Sequence, residues 1–419
     1  MKSETLLPET LGEWSKEAVV PHDLADRALR GRARYRFRSG VLAAGLTVAV
    51  VLVAVAVPQL VRNDRAPVPA AMTDPSDDIQ ISVAPAEPAE TDLRTDTGNS
   101  PPRTLIAAGR TAVSAYYIDS AEKPAKGPKG AVRYRSTWYL YNPSTESYEK
   151  TPWAALDVAP GLKYAAVLED ELPTRRVGIL DTATREVVKW IGLDHPVGEV
   201  AWSPDGTRLL TTAYDEDPRM RIERPSGPVS FEDVQNGRTG FHVVDVNAGT
   251  ARFHAMANPS LMERTGILCP MGGSPFGWSH DGALIWESTC TTPSKVFYDL
   301  QGRPHDPPNG WTHPWMSSED AGISPDGRLY ADGGAPPGPQ TTVREVGTGK
   351  LAGVQTTLQL LAWADDEHLI GLGCAGRCEN EFHNGLVLVS LDGKQITQLS
   401  GDRENADAAG TWRPLLTRR

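Results

Sequence analysis

The sequence WSPDG at residues 202–206 returns as WSHDG at 278–282 and as ISPDG at 323–327. In each copy an apolar run ends at a tryptophan or isoleucine, and a segment suited to a tight turn follows. Proline pre-sets the backbone of the turn, aspartate bonds its own backbone, and glycine accepts a positive φ. Each copy therefore predicts a strand, a turn and a second strand. The residues with this structural role are Trp202, Ser203, Pro204, Asp205, Gly206, Trp278, Ser279, Asp281, Gly282, Ser324, Pro325, Asp326 and Gly327.

Weaker copies extend the pattern in both directions along the chain. They are VAPGLK at 158–163 and WADDE at 363–367. Counted from residue 159, the five copies are 44, 76, 45 and 40 residues apart. Periods of about 40–45 residues are typical of β-propellers, in which each blade is a four-stranded sheet.

Each repeat also contains a second predicted hairpin, in which apolar runs flank a turn rich in Asp, Asn or Gly. These hairpins cover residues 139–150, 178–190, 242–254, 296–306, 342–353 and 388–399. Two hairpins make a four-stranded sheet, so the sequence predicts an all-β fold, a six-bladed β-propeller over residues 103–419. The 76-residue gap leaves a seventh blade open, and the tail around residues 411–413 is suited to a closing strand.

The turn motifs resemble the WD-repeat-like propellers of the TolB family, over residues 103–401. This resemblance implies a periplasmic protein that binds partners through the faces of the propeller. The same signature precedes the hydrolase domain of prolyl-oligopeptidase-like enzymes, but we expect no such domain after these repeats. The layout is also similar to that of actinobacterial membrane propellers. Because the matching residues are turn residues, the resemblance specifies architecture and leaves function open.

The N-terminal part predicts a membrane anchor. Residues 41–57 carry no charge, and the apolar run extends to Val61. At about 1.5 Å per residue, such a helix spans about 30 Å, the thickness of a hydrocarbon core. We therefore expect a transmembrane signal-anchor helix over residues 40–61. A buried core helix and a signal peptide cleaved near residues 54–56 are the alternatives.

The charges on either side of this span predict its orientation. The arginines that precede it, with no acidic residue among them, are Arg27, Arg30, Arg32, Arg34, Arg36 and Arg38. The positive-inside rule then places the N-terminus in the cytoplasm and the propeller outside. Residues 1–39 form a cytoplasmic amphipathic segment, whose arginines serve topology or a cytoplasmic partner. Residues 62–102 are rich in Pro, Ala and Asp and predict a disordered stalk.

The sequence contains four cysteines. Their even number, together with the predicted export, indicates two disulfide bonds formed in an oxidising compartment. The simplest pairing joins Cys269 to Cys290 and Cys374 to Cys378. A zinc site would need two closely spaced pairs of ligands, and residues 269 and 290 are not such a pair.

Motifs that carry chemistry are absent from the sequence. It contains no nucleophile elbow, phosphate-binding loop, dinucleotide fingerprint or HExxH run. The nine histidines are scattered, and the acidic run at residues 215–217 lacks the spacing of a calcium loop. We therefore expect no catalytic residue, no metal and no cofactor. The net charge of −11 argues against a nucleic-acid partner.

The favoured function is thus a non-catalytic binding or scaffold module with a protein partner. A transmembrane signalling role, in which residues 1–39 contact a regulator such as a sigma factor, and a hydrolase are the alternatives. Two loops, 214–238 and 256–276, are longer than a blade needs and carry residue types that anchor interfaces. The candidate partner-binding residues are Arg219, Met220, Arg221, Arg224, Phe231 and Met262. The alternative is that these side chains fold back over the blade edges.

Overall fold

The computed structural model describes residues 81, 91–124, 130–222, 237–256, 274–288, 295–308, 320–333, 340–376, 378, 380, 382–405 and 410–419. Within these ranges the chain forms strands, turns and loops and no α-helix. A helix long and apolar enough to cross a membrane is accordingly not found among them. The predicted cytoplasmic segment, the predicted helix over 40–61 and most of the predicted stalk lie outside the described residues.

The strands are numbered in chain order. The first twelve are β1 (Ala107–Ala108), β2 (Thr111–Glu122), β3 (Ala131–Asn142), β4 (Ser147–Lys150), β5 (Ala155–Val158), β6 (Tyr164–Leu168), β7 (Thr174–Asp181), β8 (Val187–Trp202), β9 (Arg208–Tyr214), β10 (Met220–Ile222), β11 (Arg238–Asp245) and β12 (Thr250–Ala255). The other twelve are β13 (Gly277–Trp278), β14 (Ile285–Ser288), β15 (Lys295–Tyr298), β16 (Pro304–His305), β17 (Leu329–Asp332), β18 (Thr341–Glu345), β19 (Leu351–Gln355), β20 (Gln359–Trp363), β21 (His368–Gly373), β22 (Gly385–Ser390), β23 (Ile396–Gln398) and β24 (Trp412–Arg418).

These strands form five antiparallel sheets. In order of pairing, the sheets are β1-β2-β3-β10 with β24 on β2 and β4 on β3; β12-β11-β9-β8-β7-β6-β5; β13-β14-β15-β16; β17-β18-β19; and β20-β21-β22-β23. Every one of the six predicted hairpins is present, as β3–β4, β7–β8, β11–β12, β15–β16, β18–β19 and β22–β23. The hairpins form where they were predicted because their turns are specified locally.

The predicted closing strand is also present. β24, near the C-terminus, pairs with β2 in a register that runs from Thr111 opposite Arg418 to Ile118 opposite Trp412. The indole of Trp412 is almost fully buried. One sheet therefore contains strands from both ends of the described chain, which closes the series of sheets on itself.

The hydrophobic core lies between consecutive sheets. One cluster joins Val113 and Trp412 of the first sheet to Leu386 of the last, and another joins Leu140 of the first sheet to Val167 on β6. Sheets that pack face to face in sequence, with the first against the last, are the arrangement of a β-propeller. The prediction of an all-β propeller is therefore confirmed.

Residues 91–102 belong to this folded unit, although they fall within the predicted stalk. The backbone of Arg94 bonds to β1, and the N–H of Asp96 donates to Leu399 at 2.8 Å. The side chain of Ile81 is buried, and its N–H donates to Asn247 Oδ1 at 2.8 Å. The folded unit thus includes residues before position 103, held by bonds to distant parts of the sequence that composition does not reveal.

Candidate functional site at the channel mouth

The Ser-Pro-Asp-Gly turns are fixed by a repeated set of hydrogen bonds. Ser203 Oγ donates to Asp205 Oδ1 at 2.5 Å and accepts the N–H of Arg208 at 3.0 Å. Asp205 Oδ1 also accepts the N–H of Thr207 at 3.0 Å, and Gly206 has a φ of +69°. The serine and the aspartate together satisfy the backbone of the reversal, which makes the turn rigid.

The same bonds recur at Ser279 with Asp281 and at Ser324 with Asp326. A further copy, which the sequence analysis did not single out, is formed by Ser390 and Asp392 in the turn between β22 and β23. Its sequence, SLDG, lacks the proline, so the serine and the aspartate are the more general signal of this turn.

The tryptophans that precede the turns connect neighbouring inner strands. The indole N–H of Trp202 donates to the carbonyl of Asp157 at 3.2 Å, and that of Trp278 donates to Ala201 at 3.2 Å. The indole of Trp363 donates to the carbonyl of Gly322 at 3.3 Å. Each tryptophan thus bonds the backbone of the preceding repeat, a role that the repeat spacing did not predict.

A cavity of about 570 Å³ opens where these turns converge. All five sheets contribute to its wall, so it lies on the axis of the ring. We call it the channel mouth, and its principal lining residues are Asp157, Trp202, His280, Asp326, Asp366 and Arg418. Because rigid turns supply the wall, the shape of the cavity is largely preformed, as in most binding sites.

Several ionisable groups at or near the cavity have pKa values that differ from their ordinary values. Burial raises the pKa of Asp157 to about 6, although the backbone N–H groups of Trp202 and Val158 bond its carboxylate at 2.6 and 3.0 Å. Burial also raises the pKa of Asp320, against the nearby charge of Lys295. The pKa of Lys295 is lowered to about 8 by burial, which the charge of Asp320 partly opposes. Burial therefore favours the neutral forms of Asp157 and Asp320, which line the cavity, and of Lys295, which interacts with Asp320.

A second group of charges is associated with the inner strands β8 and β24. Burial raises the pKa of Glu199, an effect that the charge of Arg219 opposes and that of Asp119 reinforces. Tyr117, opposite Arg413 in the register of β2 and β24, also has a raised pKa because of burial. Charges of both signs therefore lie close to Glu199 and Tyr117.

The structure places three of the predicted partner-binding residues at the edge of the first sheet. Met220 and Arg221 are in β10, whose backbone pairs with β3. Arg219 and Met220 are half-buried, and the adjacent Asp217 forms an ion pair of 2.6 Å with Arg133. This part of the loop lies along a sheet edge. The role of these residues in partner binding stays a prediction. Arg224, Phe231 and Met262 lie outside the described residues.

Cys374 and Cys378 form a disulfide bond, with an S–S distance of 2.06 Å. This is one of the two predicted pairings. It closes a short loop between β21 and β22, and no free cysteine occurs in the described part of the chain. Cys269 and Cys290 lie outside the described residues, so their pairing stays a prediction.

One partly exposed cluster has the donors of a catalytic or metal site. Thr211 Oγ1 lies 3.1 Å from His242 Nδ1, and His242 Nε2 lies 2.7 Å from Asp194 Oδ1. The series of hydroxyl, imidazole and carboxylate in Thr211, His242 and Asp194 resembles a hydrolytic triad. However, Thr211 is fully buried, so its hydroxyl cannot reach a substrate. Asp194, His195 and His242 also place their ligand atoms within 4.8 Å of one another.

No protein-family model matches the sequence, and no curated protein matches it. Among solved structures, TolB from Acinetobacter baumannii is similar with a TM-score of 0.35 and 16% identity, over 70% of this chain and 65% of that chain. The β-propeller domain of Cps50 (Swd1) from Myceliophteria thermophila has a TM-score of 0.36 and 10% identity, over 72% and 88%. Hydrazine synthase from Kuenenia stuttgartiensis has a TM-score of 0.33 and 12% identity, over 59% and 65%. The chain thus spans 65% of the TolB structure. The assignment of a propeller fold is based on the strand pairing within this chain.

Proposed function

We propose that this chain is a membrane-tethered, extracytoplasmic six-bladed β-propeller that binds a protein partner and has no catalytic activity. The observation that carries the proposal is the channel mouth. It is a preformed polar cavity whose wall consists of turns from every sheet. Faces where loops converge are the binding surfaces that propellers offer.

A count of six blades is supported if the seven-stranded sheet is divided within β8. Residues 187–192 of β8 pair with β7 and residues 199–202 pair with β9, whereas Val197 between them pairs with both strands. Buried residues from both halves, including Ile179 and Leu209, form one cluster, so the halves pack face to face. The first blade is then β24-β2-β3-β4, and the second consists of β5, β6, β7 and the first half of β8. The third consists of the second half of β8 with β9, β11 and β12. The three remaining sheets are the other three blades.

The proposed location outside the cytoplasm has two independent supports. One is the arginine cluster before the apolar run at residues 41–57, which favours a cytoplasmic N-terminus. The other is the disulfide bond between Cys374 and Cys378, since such bonds persist in oxidising compartments. A propeller tethered to the membrane would meet its partner at the cell envelope.

The charges of the channel mouth indicate what the partner must offer. Asp326 and Asp366 are exposed at the rim, and so are Arg110 and Arg418. A ligand seated there needs groups of both signs, as polar protein segments have. The net charge of −11 disfavours a nucleic acid in this role.

Charge reversal at the rim tests the proposal. The full chain, solubilised from its host membrane, is used to capture partners, and Asp366→Arg combined with Arg418→Glu is compared with Lys350→Glu. Lys350 is exposed on the outer part of its sheet and is the matched control. We expect the rim variant to lose at least about tenfold in recovered partner while the control retains it. Equal recovery by the rim variant, with the fold intact by circular dichroism, would exclude the channel mouth as the binding site.

A further inference from the structure

We infer that Asp194, His195 and His242 form a binding site for one divalent, zinc-type metal ion on β8 and β11. Asp194 and His195 lie between Gly192 and Val197, which both pair with β7, at a point where the register of β7 and β8 shifts. His242 comes from β11. The site is therefore assembled by the fold from two strands, and it is separate from the channel mouth.

The distances between the donor atoms suit a single ion. Asp194 Oδ1 lies 2.7 Å from His242 Nε2 and 3.1 Å from His195 Nδ1. In a tetrahedral zinc site, bonds of about 2.0–2.2 Å place neighbouring donor atoms about 3.3 Å apart. A small opening of the cluster would admit the ion. Two imidazole nitrogens and one carboxylate oxygen form a donor set that zinc accepts, with a fourth position left for water or another ligand.

The surroundings hold these side chains in place. Thr211 Oγ1, 3.1 Å from His242 Nδ1, can accept the proton of that nitrogen, which leaves Nε2 as the ligand atom. The ring of His195 stacks on Phe253 with centroids 3.6 Å apart. Arg175 donates a hydrogen bond to the carbonyl of Asp194. Metal ligands are commonly oriented by such contacts.

An unsatisfied nitrogen points to a missing ligand. His195 Nδ1 is buried and lies 3.1 Å from the carboxylate of Asp194, but within the described residues this contact does not have the geometry of a good hydrogen bond. Buried polar atoms are normally bonded, so an exception requires an explanation. The side chains of Asp194 and His195 are 67% and 43% exposed, which leaves a path for an ion from solvent, whereas His242 is fully enclosed.

Binding of Zn²⁺ to the full chain, stripped with a chelator and held in detergent, tests the inference. Calorimetry and metal analysis are applied to the natural sequence, to His195→Ala and to His305→Ala, in which an exposed histidine of β16 is removed. Because His195 is partly exposed, its loss should leave the fold intact. We expect the natural sequence and His305→Ala each to bind one Zn²⁺ ion. His195→Ala should bind Zn²⁺ at least about 100-fold more weakly.

Two further readouts keep the result unambiguous. Co²⁺ bound at the site should give the intense visible absorption of a tetrahedral complex, and His195→Ala should lack it. Zn²⁺ should raise the melting temperature of the natural sequence but not that of His195→Ala, because a ligand that binds the folded state stabilises it. Equal Zn²⁺ binding by all three proteins would mean an adventitious ion only and would overturn the inference, as would the absence of binding.

Discussion

Asp157 and Trp202 are joined by two hydrogen bonds. The backbone N–H of Trp202 donates to Asp157 Oδ2 at 2.6 Å, and its indole N–H donates to the carbonyl of Asp157 at 3.2 Å. The pair ties the end of β8 to the end of β5 at the wall of the channel mouth. Neighbouring inner strands are thus bonded directly to each other at the cavity.

The pH dependence of stability should reveal the Asp157 carboxyl. Its pKa is about 6 in the folded protein, against 3.8 for the ordinary group, so the folded state binds the proton more tightly than the unfolded state. Stability should therefore fall as the pH rises from about 4 to about 7, by about 3 kcal/mol at most for this shift. Urea unfolding of the natural sequence and of Asp157→Asn at a series of pH values measures the effect. Parallel curves for the two proteins would contradict it.

Removing an indole N–H between repeats should destabilise the ring. Trp278→Phe loses the bond to the carbonyl of Ala201, which we expect to cost about 1 kcal/mol beyond the loss of ring area. Trp153→Phe is the control, since Trp153 is also half-buried and its indole has no hydrogen bond within the described residues. Denaturant unfolding gives the free energy of unfolding of both variants. Equal losses of stability in the two would show that the indole hydrogen bond of Trp278 contributes nothing.

A glycine of the repeated turn should not tolerate a side chain. Gly282 has a φ of +69°, and a Cβ atom there would lie 3.2 Å from Pro204 Cδ. We expect Gly282→Ala to lower the free energy of unfolding by about 1–2 kcal/mol. Gly192→Ala is the control, because no atom lies within 4 Å of a Cβ at that position. A neutral Gly282→Ala would mean that the turn adapts more easily than its hydrogen bonds indicate.

Loss of the closing strand should open the ring. A chain that ends at residue 410 lacks β24, including the buried Trp412 and the 2.7 Å bond between Ser114 and Thr417. We expect it to lose cooperative thermal unfolding and to be cleaved rapidly by protease. Arg413→Ala, which changes an exposed residue of the same strand, should unfold like the natural sequence. A cooperative transition in the shortened chain would argue against closure by β24.

The parts of the fold that were predicted correctly are those that short segments specify. The SPDG turn at Ser203 and the hairpin at residues 388–399 carry their own hydrogen-bonding groups, so local sequence is sufficient. The pairing of β10 with β3 and the burial of Ile81 depend on contacts between distant segments. Sequence patterns have no signal for such contacts.

The candidate sites were harder to predict for the same reason. His242 and Asp194 are 48 residues apart, and only the packing of β11 against β8 brings them together. The scattered histidines therefore led to the expectation that no metal is bound. The cavity at the channel mouth likewise arises from six separate turns. The motif identified five of those turns as structural, and it could not show that they share one wall with the turn at Arg110.

The orientation of the chain is tested by protease added to cells with a permeabilised outer envelope. If the propeller is outside, cleavage should begin near residue 62 and release the folded domain, because exposed linkers are cut before compact domains. An epitope placed before residue 39 should stay protected and serves as the internal control. If the propeller were fully protected from the protease, the proposed topology would be wrong.

Site-specific photo-crosslinking in the host cell tests whether a protein partner binds at the channel mouth. A photoreactive residue is placed at the exposed Pro325 or Asp366 of the mouth, and for comparison at Leu351, which is 48% exposed on β19. We expect one crosslinked protein of constant mass from both mouth positions and none from position 351. A partner captured only from position 351, or no capture from either mouth position by a folded protein, would contradict it.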